Sequence, residues 1–376
     1  MRLTAIGIGI ISMQLALLSA CSPPADLALN AACTGPPLRT IEARNAAMET
    51  GYAINRDLDC IDKASFDAVN AQQLAWEQNR AQTIANERQQ LAQSGSSAFV
   101  QARHGFVTAI SVHDQDPLPL PEPPERLFVR SDYRNPQNYT LPGFVSPDPG
   151  DGQRHPAILW LTGGDSNSLA DFWTAGPDSN DQSASAFRDA GLIMAFPTLR
   201  GGNGNRSAKE LMLGEVDDVI AAAEQLAKLT YVDPDRIYLG GHSTGGTLAL
   251  LTAAVKSPFK AVFAFGPVAK IDHYPTSLMP ADFASLDALE AKLRSPIHWL
   301  GSIAQPTFVI EGSDGTSNRD ELRAICAANS NPLLTCVEVP DAEHFSVLAP
   351  ATRVIAAKLA ANTARPITLQ AQEIKR

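Results

Sequence analysis

The sequence predicts an α/β fold: a mostly parallel central sheet with helices on both faces, plus an N-terminal helical appendage. Three observations carry this expectation. From about residue 126 onward, apolar strand candidates alternate with helical segments. One strand passes through a glycine-rich turn straight into a helix, at Leu239-Gly240-Gly241-His242-Ser243-Thr244-Gly245-Gly246. The side chains best suited to chemistry all fall just after strand candidates, at the carboxyl ends where sites in such sheets lie.

The elements follow in order. Leu127-Phe128-Val129-Arg130 and Tyr139 to Val145 are expected to form a first antiparallel pair. Pro149-Gly150-Asp151-Gly152 is a turn, and Pro156 to Leu161 is a strong strand. Ala184 to Ala190 suggests a short helix, and Gly191 to Pro197 a buried strand. Gly214 to Leu229 places Val216, Val219, Ile220, Ala223, Leu226 and Ala227 at helical spacing. Arg236 to Leu239 leads into the glycine turn, and Thr247 to Ala254 leads out as a helix. Ala261 to Phe265, Thr307 to Ile310 and Thr335 to Val339 complete the strands.

Gly241-His242-Ser243-Thr244-Gly245 is Gly-x-Ser-x-Gly in a strand–turn–helix setting. The tight turn strains the serine backbone and brings strand and helix close, which excludes side chains at Gly241 and Gly245. Ser243 is thereby presented beside a helix N-terminus, where N–H groups favour developing negative charge. It is the expected nucleophile.

A nucleophilic serine needs a base, and the base an orienting acid, in the chain order Ser, acid, His. Of the 7 histidines, only His273, His298 and His344 follow Ser243. Gln305 to Gly315 reads as a buried strand and then a turn bearing Asp314, the expected acid. Glu311 is the rival, ranked second because it falls within the strand and is expected to point sideways. His344, in the loop Pro340-Asp341-Ala342-Glu343-His344-Phe345, lies downstream of both and is the expected base. The strand ending at Leu161 is followed by Thr162-Gly163-Gly164-Asp165. Backbone N–H groups of Gly163 or Gly164, with that of Thr244, are the expected oxyanion hole.

These residues resemble a known family. Gly214-Glu215-Val216-Asp217-Asp218-Val219, then Tyr231-Val232-Asp233-Pro234-Asp235-Arg236-Ile237, then the serine turn, look like the catalytic domain of prolyl oligopeptidase-type α/β-hydrolases. Leu199-Arg200-Gly201-Gly202-Asn203-Gly204 fits that family's Arg-Gly segment, and Ser295-Pro296-Ile297 fits ahead of the acid strand. The resemblance covers roughly residues 125–365. It implies the α/β-hydrolase fold and a triad of Ser243, Asp314 and His344. Two features depart from it. Thr162-Gly163-Gly164-Asp165 stands where peptidase members carry His-Gly-Gly-Pro, and the stretch ahead of residue 125 is too short for a β-propeller.

Residues 1–20 carry one charge, Arg2, and an apolar run from Ile6 to Leu18, which reads as a signal peptide. Leu18-Ser19-Ala20-Cys21 resembles a bacterial lipobox, with Cys21 the lipidated residue. The expected location is the periplasm-facing envelope, with sorting to the outer membrane and attachment through acyl chains alone. Of the 5 Cys, Cys33, Cys60, Cys326 and Cys336 remain. An even set in an exported chain suggests disulfides, and Cys33–Cys60 with Cys326–Cys336 is the favoured pairing. Neither metal nor organic cofactor is expected. The net charge of −10 and the lack of basic runs exclude nucleic acid as a partner class.

Residues 21–116 are expected to form a tether and helical appendage, with a long helix over 62–93, and residues 117–376 the catalytic domain. Tyr274, Met279, Phe283 and Trp299, with Asp171-Phe172-Trp173, are candidates to shape a substrate pocket. The functions implied are a serine hydrolase of short peptides, a carboxylesterase, or a non-catalytic envelope protein that uses the fold for binding.

Overall fold

The computed structural model describes residues 53–54, 60–61, 97–255, 258–274, 288–361 and 367–375. The expected leader, Cys21, Cys33, the helix expected over 62–93, Met279 and Phe283 lie outside the described residues. The chain divides into two compact units, residues 1–84 and 85–376. In the first, β1 (Ala53–Ile54) pairs antiparallel with β2 (Cys60–Ile61).

The second unit opens with α1 (Ala98–Arg103), capped by the Ser97 side chain accepting from Val100 N–H. Then come β3 (Val129–Arg130), β4 (Tyr133–Arg134), β5 (Thr140–Leu141), β6 (Gly143–Val145) and β7 (His155–Leu161). Next are α2 (Ala186–Asp189), β8 (Ile193–Pro197), α3 (Glu215–Leu226), β9 (Val232–His242), α4 (Thr244–Ala253) and β10 (Val262–Phe265). The chain finishes with α5 (Ala288–Leu293), β11 (Thr307–Gly312), α6 (Arg319–Ala328), β12 (Leu334–Val339) and α7 (Leu348–Ala360). The expected first pair forms between β3 and β6, with the small β4–β5 ribbon inserted between them.

Eight strands form one sheet in the order β12-β11-β10-β9-β7-β8-β6-β3. From β8 through β12 all neighbours run parallel, and β6 and β3 add antiparallel at one edge. The two faces bury separate apolar clusters. Leu159, Leu161, Leu239 and Val309 line one, and Ile158, Trp160, Phe263 and Ile310 the other. That two-sided burial is why the strands read as continuous apolar runs. After β7 the chain steps to β8, then crosses back to β9 on the other side. The carboxyl ends of β7 and β9 therefore border the crevice where such folds place their ligands.

Residues 97–116, expected with the appendage, are built into this body. Arg103 bonds Asp217 and the Leu213 carbonyl, both at 2.8 Å. Glu290 of α5 accepts from the Thr108 hydroxyl at 3.0 Å and from Ala109 N–H at 2.8 Å. Val112 pairs antiparallel with Lys209. Of the aromatic pocket candidates, Phe172, Tyr274 and Trp299 are buried in packing. Trp299 lies against Phe99 with ring centroids 5.0 Å apart, and Phe172 sits among Phe128, Phe144 and Phe196. Tyr274 is buried and its hydroxyl bonds that of Thr247 at 2.6 Å.

The loop after β8 is pinned by a buried charge network. The Arg200 guanidinium takes Asp218 in a two-pronged bond, Nε to Oδ2 at 2.9 Å and Nη2 to Oδ1 at 2.8 Å, and Nη1 donates to Glu210 at 2.6 Å. Burial pushes the Arg200 pKa down, but the bonds and charge of Asp218 outweigh it and leave it raised. Asn167 donates to the Arg200 carbonyl at 2.7 Å and to Glu215 at 3.1 Å, so the network reaches the loop after β7. Removing one member leaves buried charge without a partner, at a cost of about 3–5 kcal/mol. Arg200→Met is therefore expected to lower unfolding free energy by about that amount, read from chemical denaturation.

Cys326 in α6 and Cys336 in β12 form a disulfide. It joins the helix after β11 to the strand leading to the His344 loop. The favoured Cys33–Cys60 pair involves Cys33, outside the described residues.

Candidate active site

β9 runs to His242, and α4 begins at Thr244. Ser243 sits between them at φ 55°, ψ −116°, a conformation that costs a residue with a Cβ on the order of 1–3 kcal/mol. The glycines make the turn possible. A methyl group at Gly241 would collide with the Gly245 carbonyl, and one at Gly245 with those of Leu161 and Thr162. Ser243 N–H is tied to the Phe265 carbonyl of β10 at 2.8 Å. The side chain is half-buried, open to a substrate yet held by its flanks.

The expected oxyanion residues border this serine. A methyl built on Gly163 would lie 3.3 Å from Ser243 Cβ. The Thr244 hydroxyl donates to the Gly164 carbonyl at 2.8 Å, which joins the two loops. Asp165 is held from the far side by Lys209 Nζ at 2.9 Å, which also bonds Asp114 at 2.7 Å. Thr244 opens α4, so its N–H is one of the first-turn donors without an intrahelical acceptor.

His344 follows β12 and is 8 % exposed. Its Nδ1 faces Glu311 Oε2 at 2.8 Å. Glu311 is fully buried near the end of β11, and its Oε1 accepts from Gly312 N–H at 2.7 Å. This corrects the expectation for Asp314. That residue is exposed, its carboxylate accepts from the Ser313 hydroxyl at 2.7 Å, and its N–H bonds the Ala342 carbonyl at 2.9 Å. The physical reason lies in the neighbouring strand. Phe265 of β10 pairs with Ile310, so the residue beside Glu311 is Gly266. Gly266 has no side chain and φ 55°, which leaves room for the carboxylate and imidazole to meet. The sequence held a signal for Glu311: an acid inside an apolar buried strand is costly unless something pairs with it.

His242 was not singled out from the sequence. It is 1 % exposed, and its ring packs on His344 with centroids 4.5 Å apart. Nε2 donates to the His344 carbonyl at 3.1 Å. Burial first, then the nearby His344 charge, lowers its pKa from 6.5 to about 3. The folded chain thus keeps this ring neutral while an unfolded chain protonates it below about pH 6.5. Stability is expected to fall as pH drops through that window toward about 3. Urea midpoints measured across it should decline less steeply in His242→Gln. Phe345 is 39 % exposed and sets its ring edge against both histidines, with centroids 5.3 and 5.0 Å away.

Among the described residues no cluster of His, Cys, Asp and Glu has the arrangement of a metal site. Ser243, tied to Phe265, and the Glu311–His344 pair, set around Gly266, thus gather at the same end of β10.

Residues 178–312 match the prolyl oligopeptidase family. No curated protein matches the chain. Among solved structures, a Mycobacterium tuberculosis puromycin-hydrolyzing peptidase is similar at 17 % identity and TM-score 0.50, over 62 % of this chain and 40 % of that one. Porphyromonas gingivalis dipeptidyl peptidase 4 is similar at 23 % identity and TM-score 0.48, over 63 % of this chain and 35 % of the peptidase. A Pyrococcus furiosus esterase is similar at 16 % identity and TM-score 0.49, over 66 % of this chain and 97 % of the esterase. The match therefore spans well under half of either peptidase. The sheet order and the serine turn are those of an α/β-hydrolase fold, and residues 178–312 within it carry the match to the prolyl oligopeptidase family.

Proposed function

We propose that this chain is a serine hydrolase that cleaves an ester or short peptide through a Ser243–His344–Glu311 triad and an acyl-enzyme. The observation that carries this reading is the buried Glu311–His344 pair beside the strained Ser243 turn. Glu311 fixes the proton on His344 Nδ1, which leaves Nε2 as the base. In the first step Ser243 Oγ attacks the substrate carbonyl carbon and gives its proton to Nε2. The carbonyl oxygen becomes an oxyanion, held by the N–H of Thr244 and that of Gly163 or Gly164. As the bond to the leaving group breaks, Nε2 returns the proton to the leaving oxygen or nitrogen. Water then attacks the acyl-enzyme by the same route, and Ser243 regains its proton. No metal or organic cofactor enters this scheme.

A fluorophosphonate probe tests the reading. Wild type should be labelled and Ser243→Ala should not. A wild type that stays unlabelled and inert on panels of acyl esters and peptidyl anilides favours the binding-protein reading. Those panels also decide between ester and peptide.

The leader and Cys21 support an exported, lipid-anchored enzyme in the envelope. The Cys326–Cys336 disulfide fits an oxidising compartment. Metabolic labelling with palmitate should be lost in Cys21→Ala, and labelling that persists would reject the anchor.

A further inference from the structure

We propose that His242 is a positioning residue for the base: its Nε2–H holds the His344 main-chain carbonyl and so ties the imidazole of residue 344 to the strand end that presents Ser243. The inference rests on the reading of Ser243 and His344 as nucleophile and base, and it adds a residue that reading does not contain.

Three observations carry it. His242 is the last residue of β9 and directly precedes Ser243, so its backbone cannot move independently of the nucleophile. Its side chain spans to the loop after β12, where Nε2 meets the His344 carbonyl at 3.1 Å and the two rings pack tilted at 40°. It is 1 % exposed, so water does not compete for that bond.

The loop it grips needs such a hold. It turns at Asp341, a residue with a Cβ at φ 57°. Glu311 fixes the His344 imidazole at Nδ1, but one hydrogen bond leaves the ring free to tilt about that contact. The His242 bond fixes the main chain behind the ring, and the ring contact supplies a wall on one face. Base and nucleophile then share a mechanical reference, which matters because an error of about 1 Å in reacting geometry can cost about 100-fold in rate.

The chemistry also fixes which nitrogen carries the proton. A carbonyl only accepts, so the His242 proton is on Nε2 and Nδ1 is bare. Nδ1 has no hydrogen-bond partner among the described residues. A neutral ring in this tautomer steadies the loop without setting a second positive charge beside the imidazolium that His344 becomes.

The test pairs two variants with one spectroscopic measurement on the full chain. His242→Phe keeps the ring and loses the donor. Its kcat is expected to fall about 10- to 100-fold while KM stays within about 2-fold. His242→Gln restores an N–H donor and should recover most of that loss. Nitrogen NMR of 15N-histidine-labelled wild type should show His242 protonated at Nε2 and bare at Nδ1 from pH 6 to 8, and this readout survives even if His242→Phe fails to fold. The role is overturned by an Nδ1–H tautomer, by His242→Phe with wild-type kcat, or by a folded His242→Gln as impaired as His242→Phe. If the fluorophosphonate leaves wild type unlabelled, the hydrolase reading fails and takes the positioning role with it. A labelled wild type with an indifferent His242→Phe sinks the positioning role alone.

Discussion

Glu311→Gln is expected to lower kcat by about 10,000-fold, while Asp314→Asn leaves it within about 2-fold of wild type. The magnitude is that seen when the orienting acid of a serine triad becomes its amide. The cause is tautomeric. Glu311 Oε2 accepts the Nδ1–H of His344 at 2.8 Å, which leaves Nε2 free to take the serine proton. A glutamine can present an N–H to Nδ1 instead. The imidazole proton then moves to Nε2, and the base is blocked. Shape hardly changes, so KM and the far-UV spectrum should hold. Asp314 points its carboxylate at the Ser313 hydroxyl and solvent, away from this line. Steady-state kinetics on a chromogenic ester and the rate of fluorophosphonate labelling both report the contrast. Equal losses in the two variants would return Asp314 to the triad and overturn the assignment.

Gly266→Ala is expected to abolish turnover almost as fully, by about 1000-fold or more, from one added methyl group. Gly266 follows β10 at φ 55°, where a residue with a Cβ is strained before any contact is considered. The methyl would then lie 2.5 Å from Glu311 Oε2 and 2.7 Å from His344 Nδ1, and would strike the ring carbon between the imidazole nitrogens. Acid and base cannot both keep their places, so the loss should match that of breaking their bond. Probe labelling should fall in parallel, and thermal unfolding should come earlier. Gly266→Ala with near wild-type kinetics would mean that the Glu311–His344 pair is not what drives the reaction.

These two variants mark where the sequence was legible and where it was not. Ser243 was legible because its turn is a local problem. Strand and helix must nearly touch, only glycine allows that at residues 241 and 245, and five consecutive residues declare it. Chain order singled out His344 once the serine turn was placed, and the structure sets it against Glu311. The parallel strands were legible because burial on both faces demands unbroken apolar runs. The acid was harder. Glu311 and Asp314 both follow Ser243 and precede His344, and the turn residues around Asp314 made it the more inviting choice.

His242 and the body-packed residues 97–116 escaped for a related reason. His242 looked like the variable letter of a serine motif, because its partner lies 102 residues away. Residues 97–116 carry no strong period, and their bonds run to Asp217, Lys209 and Glu290, far along the chain.

By itself, then, the sequence determined the elements and the strained serine turn. Each rests on dihedral limits and side-chain periods that act within a few residues. The tertiary structure alone decided which acid meets His344. That choice turns on the register of β10 against β11, which sets Gly266 beside Glu311 and opens a path from carboxylate to imidazole. Register is a property of paired strands, and no single strand encodes it.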